Sequence, residues 1–81
     1  MTVTVLYFAS LRDTAGMDSE VMELPASLAS LAALYEALKK RHGFSMGQPN
    51  LRVAMDGEFA LWSDPISDGA EIAFIPPVSG G

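Results

Sequence analysis

Residues 3–9 read VTVLYFA, an unbroken β-branched and aromatic run that is too short for a typical helix and lacks helical spacing. This predicts a central strand buried on both faces. Residues 11–16 read as a polar connection. Residues 19–24, SEVMEL, then form a shorter run of mixed alternation that Pro25 ends, and the two runs together predict a hairpin. The period then changes. Leu31, Leu34, Tyr35 and Leu38 fall at i, i+3, i+4 and i+7, which predicts one amphipathic helix over 31–42. Ser30 can accept a hydrogen bond from a first-turn amide, and Ser27 is a competing start. Lys39, Lys40, Arg41 and His42 oppose the negative end of the helix dipole, and Gly43 supplies a left-handed cap.

A loop over 44–50 leads to LRVAM at 51–55, which alternates again. Asp56-Gly57 carries the type I′ hairpin signature, EFA at 58–60 returns as a short strand, and residues 62–69 are rich in turn formers. EIAFI at 71–75 is the last strand, stopped by Pro76-Pro77. The order strand, strand, helix, strand, short strand, strand defines an α+β fold with one helix laid across a mixed sheet, with the strand pairing left open.

Composition narrows the function. Eighty-one residues allow a single core, and an apolar share of 49% is enough to form one. Ten acidic against five basic side chains leave a net charge of −5, which argues against a nucleic-acid partner bound by phosphate neutralisation. With no cysteine and one histidine, thiolate metal sites, disulfides and cysteine nucleophiles are absent by inventory, so neither a metal nor a bound cofactor is expected. There is no basic leader at the N-terminus, and no apolar run approaches the roughly 18 residues of a membrane span. The expectation is a cytoplasmic protein without a membrane partner.

The carboxylate pairs Asp56/Glu58 and Asp64/Asp68 have spacings that allow acid–base chemistry, yet they sit where turns favour Asp, and a turn role is the simpler expectation. His42 is expected to serve the helix-end carbonyls, and the cluster Lys39 to Arg41 a solvated helix end. The terminal segment Val78-Ser79-Gly80-Gly81 is different. It has little side chain to pack, so residues 1–77 are expected to form the domain and 78–81 a flexible tail. Four extended residues reach at most about 14 Å. Two glycines would let backbone enter a channel too narrow for any Cβ, delivering the carboxylate into a partner. A frayed, inert end is the plain alternative.

The ending Phe74-Ile75-Pro76-Pro77-Val78-Ser79-Gly80-Gly81, preceded by Asp68-Gly69-Ala70-Glu71-Ile72-Ala73, resembles that of the small, sulfur-carrying subunit of molybdopterin synthase, a ubiquitin-like β-grasp family. The opening Val5-Leu6-Tyr7-Phe8-Ala9 with Leu11-Arg12, the helix start at Ser30-Leu31-Ala32-Ala33-Leu34 and the hairpin Val53-Ala54-Met55-Asp56-Gly57 extend the resemblance nearly end to end. One departure is Met55-Asp56, where the family often has Val-Asn, and both fit a strand entering a tight turn.

The resemblance implies a β-grasp fold and a carrier role. Gly81 would be adenylated by an E1-like enzyme that uses ATP, converted to a thiocarboxylate with the help of a sulfur-donating enzyme, and inserted into the large synthase subunit. There its sulfur would pass to cyclic pyranopterin monophosphate, in a heterotetramer built on the dimeric large subunit. Gly80 and Gly81 would carry the chemistry, with Phe8, Phe59, Ile75, Pro76, Val78 and Ser79 meeting the partner. For Phe8, core and surface remain equally open. If Ile72 and Phe74 point into the core, parity puts Ala73 and Ile75 on the other face. Arg12 would contact the activating enzyme or form a surface ion pair. Carriers for thiamine, cysteine or tRNA thiolation, and ubiquitin-like protein modifiers, share the tail chemistry and remain alternatives.

Overall fold

A computed structural model of the chain describes residues 1–77. Strand β1 (Thr2–Tyr7) leads into helix α1 (Ala9–Ala15), strand β2 (Ser19–Glu23) and the main helix α2 (Leu31–His42). A single 3₁₀ turn (Gln48–Asn50) precedes β3 (Arg52–Met55), β4 (Glu58–Ala60) and β5 (Glu71–Ile75). The strands form one sheet in the order β2-β1-β5-β3-β4. β1 and β5 run parallel at its centre, and the other pairs are antiparallel. The α+β architecture with one main helix on a mixed sheet is therefore present.

Alternation sorts each strand onto two faces. Val3, Val5 and Tyr7 of β1, Val53 of β3, and Ile72 and Phe74 of β5 are buried on the inner face. Leu31, Leu34, Tyr35 and Leu38 of α2 pack against them, with the Tyr35 ring 5.2 Å from that of Phe74. Ser30 caps α2 as expected, its Oγ accepting from Ala33 N at 3.2 Å. The carbonyls of Asp64 and Trp62 satisfy the next free amides, those of Leu31 and Ala32. Gly43 closes the helix at φ 76°.

Three expectations need correction. The first strand stops at Tyr7, and only its inner face is buried; Thr4 and Leu6 on the other face are half-buried. The connection at 11–16 is mostly helix: Leu11 is buried and anchors α1, and Gly16 ends it at φ 74°. β1 and β2 do pair antiparallel, but with a helix between them rather than a tight turn. The change of direction also places Ala9 at φ 51°, a left-handed conformation that crowds its Cβ.

Candidate functional site: the outer sheet face and the chain exit

The main helix α2 packs on the inner face of the sheet and leaves an open trough on the outer one. The pairing Leu6–Ala73, Ala73–Ala54 and Ala54–Phe59 sets these four side chains in one row across four strands. Two alanines in mid-row leave a trough floored by Ala54 and Ala73 and walled by Leu6, Phe8 and Phe59. Ile75 closes the end of the trough nearer the chain exit.

Phe8 is 44% exposed, which settles its two readings in favour of the surface. Phe59 is 68% exposed, and Leu61 and Val21 are also open to solvent. Ile75 lies opposite the buried Phe74 along β5, as parity requires. Pro76 is buried at the root of the exit, while Pro77 is exposed. Four of the expected site residues, Phe8, Phe59, Ile75 and Pro76, thus gather around one trough and its margin. Val78, Ser79, Gly80 and Gly81 lie outside the described residues. Arg12 forms a loose surface pair with Asp18 at 3.8 Å.

Beside the exit, Arg52 sits opposite Ile75 in the register. Its guanidinium lies 5.2 Å from the centre of the Phe59 ring, a cation–π arrangement. Sequence reasoning passed over this residue because an arginine in an alternating strand reads as an ordinary solvent-facing position.

Three of the four candidate acid–base carboxylates serve the backbone instead. Asp56 Oδ1 accepts from Glu71 N, Asp64 Oδ2 from Leu61 N and Asp68 Oδ1 from Thr2 N, each within 3.0 Å. Asp56 and Gly57 both take positive φ (53° and 84°), as a type I′ turn demands.

His42 stands in the last turn of α2 as expected, and its ring also joins a side-chain cluster on the inner face. Glu20 Oε2 accepts from Tyr7 Oη at 2.7 Å and lies 2.9 Å from His42 Nε2, while Arg41 reaches Glu20 Oε1 at 3.4 Å. An ionised carboxylate only accepts, so His42 carries its proton on Nε2. Burial pushes the Glu20 carboxyl up, but hydrogen bonds from Tyr7 and His42 and the Arg41 charge outweigh it and leave it below the usual range. Burial, then the bond to Glu20, pushes the Tyr7 phenol far up. The cluster ties edge strand β2 to the end of α2. Among the described residues, no group of three or more His, Cys, Asp or Glu side chains is placed to hold a metal ion. No helix among them is long and apolar enough to cross a membrane.

A five-stranded mixed sheet with its main helix on one face and an open apolar trough on the other, at the root of the chain exit, defines a ubiquitin-like β-grasp protein. The ThiS family model matches residues 5–81, and the chain belongs to the ThiS family. It is 32% identical to the molybdopterin synthase sulfur carrier subunit of Escherichia coli, over 98% of this chain and 99% of that one. Among solved structures, it is 34% identical to a putative molybdopterin converting factor subunit 1 of Pyrococcus furiosus, with TM-score 0.79 over 96% of this chain and 99% of that one. SAMP1 of Haloferax volcanii matches with TM-score 0.82 at 27% identity, with both chains fully covered.

Proposed function

We propose that this chain is a sulfur carrier for molybdenum cofactor biosynthesis, a subunit and co-substrate of molybdopterin synthase rather than an enzyme alone. The observation that carries the reading is the exposed apolar trough of Leu6, Phe8, Ala54, Phe59, Ala73 and Ile75 beside the chain exit, in a chain aligned end to end with a named sulfur carrier. An exposed apolar patch rimmed by polar residues suits a protein partner. Here that partner is the large synthase subunit, docked on Phe8, Phe59, Ile75 and Pro76, with Val78 and Ser79 leading Gly80 and Gly81 into it.

The chemistry requires only a terminal carboxylate. One oxygen of the Gly81 carboxylate attacks the α-phosphorus of ATP on an E1-like enzyme, and pyrophosphate leaves. Sulfide released by a donor enzyme then attacks the acyl carbon, forming a C–S bond as the C–O bond to AMP breaks, and AMP leaves to give the thiocarboxylate. In the large subunit, that sulfur passes to cyclic pyranopterin monophosphate. ATP belongs to the activating enzyme, and the carrier needs no cofactor of its own. The absence of cysteine fits, because no thiolate within the chain can attack the activated end.

Two measurements test the reading. Intact mass of protein co-expressed with its activating enzyme should rise by the difference between sulfur and oxygen, and deleting Gly81 should abolish pterin sulfuration while the domain stays folded. Normal sulfuration by the truncated chain refutes the proposal. Co-purification with the large subunit separates this pathway from thiamine, cysteine or tRNA thiolation. The likeness to SAMP1, a small archaeal modifier protein, favours a second reading as a protein modifier, which lysine adducts through Gly81 would establish.

A further inference from the structure

We infer that Arg52 is a specificity anchor: it takes a carboxylate side chain of the docked protein partner in the groove beside the chain exit. This rests on the docking role proposed above for the outer face. The groove is lined by Pro49, Leu51, Arg52, Phe59, Ile75 and Pro76, so it continues the apolar trough toward the exit. Arg52 is exposed, and among the described residues it forms no ion pair, whereas Arg12 pairs with Asp18 and Arg41 with Glu20. Lys39, Lys40 and Arg41 belong to α2, which covers the opposite face. Arg52 is therefore the one cation that the strands present on the outer face, in a chain of net charge −5.

The Arg52 guanidinium sits over the Phe59 ring and, among the described residues, makes no hydrogen bond, so its N–H groups can meet a planar, two-oxygen acceptor. Phosphate shares that acceptor chemistry. A single cation in an apolar, open groove suits one carboxylate on a protein surface better than a multiply charged phosphate, which collects several cations or a run of backbone amides. At the other end of β5 the face carries Glu71. Arg52 and Glu71 thus give the face a positive and a negative end, and a partner docked on it has a preferred direction.

The test measures affinity for the large synthase subunit as a function of salt, using the full-length chain and its variants, with fold checked by circular dichroism and Trp62 fluorescence. Arg52→Glu should weaken binding by about tenfold or more and flatten the salt dependence, Arg52→Ala should weaken it less, and Arg52→Lys should restore only part, lacking the planar fork. Phe8→Asp serves as a control, since Phe8 lies on the trough away from Arg52. If Phe8→Asp loses binding while every Arg52 variant matches the wild type in affinity and salt dependence, the inference about Arg52 is overturned and the docking face stands. If Phe8→Asp and Arg52→Glu both bind normally, the docking face itself fails, and the inference with it. If Arg52→Glu changes only self-association, seen by sedimentation against concentration, the occupant is a second copy pairing Arg52 with Glu71, and the inference is overturned.

Discussion

Glu20→Ala removes the acceptor that holds β2 to the end of α2. The carboxylate takes two close hydrogen bonds, from Tyr7 at 2.7 Å and His42 at 2.9 Å, and its side chain is 12% exposed. Hydrogen bonds to an ionised group contribute about 1.5–3 kcal/mol each. Loss of both is offset in part, because Tyr7 Oη and His42 Nε2 already lie 3.3 Å apart and can bond each other. Arg41 is 60% exposed, so its ion pair adds little. The net cost is about 2–4 kcal/mol, and in a domain of this size each kcal/mol moves Tm by about 4–8 °C, so a fall of roughly 10–30 °C is expected. Thermal melts at pH 7 measure it. A Glu20→Ala melt within about 2 °C of wild type would refute the cluster's role.

Glu20→Gln isolates the charge, because it keeps the shape and one acceptor oxygen. Its folded-state carboxyl lies below the unfolded value, so the stabilisation from ionised Glu20 is fully present above the ordinary glutamate pKa of about 4.3. It is lost as pH falls through the lower folded value. The gap between wild type and Glu20→Gln should therefore be present at pH 6–7 and should close toward pH 3. A gap that persists unchanged at pH 3 would show that the difference is packing and not charge.

Two further expectations follow from the backbone. Ala9 at φ 51° bears a Cβ penalty of about 1 kcal/mol, so Ala9→Gly should leave Tm level or raise it by a few degrees, while Ala9→Val should lower it clearly; equal melts for the two variants would remove the case for strain. Ser30→Ala should cost about 1 kcal/mol in urea titrations with an unchanged m-value, and Ser30→Asp should retain the cap; a neutral Ser30→Ala would mean that the Asp64 and Trp62 carbonyls alone secure the helix start.

What was legible in the sequence was whatever a local period or a cap dictates. The helix from Leu31 to His42, its Ser30 start and Gly43 stop, and the Asp56-Gly57 turn all depend on neighbours within four residues. α1 went unread because seven residues with one buried leucine carry too little periodicity to stand above a polar loop, although Gly16 was its stop signal. The Tyr7–Glu20–His42 cluster went unread for the opposite reason. Its members lie 13 to 35 positions apart, and only the pairing of β2 with β1 and the packing of α2 bring them together.

The outer face shows a deeper limit of pattern reading. A run such as VTVLYFA is apolar at both parities, and period two alone assigns such a strand to burial on both sides. Here the second set, Leu6 and Phe8, lies away from α2, with Phe8 leading directly into α1, and it joins Ala73, Ile75, Ala54 and Phe59 around the open trough. Two-sided apolarity in a sheet with a single main helix thus leaves one layer missing. Among the described residues, the twelve-residue α2 packs against the inner face and leaves the trough on the outer face open. Surplus apolar residues on the other face form the kind of patch that suits a protein contact, the docking role proposed for it above, and a net charge of −5 opposes self-association of that face.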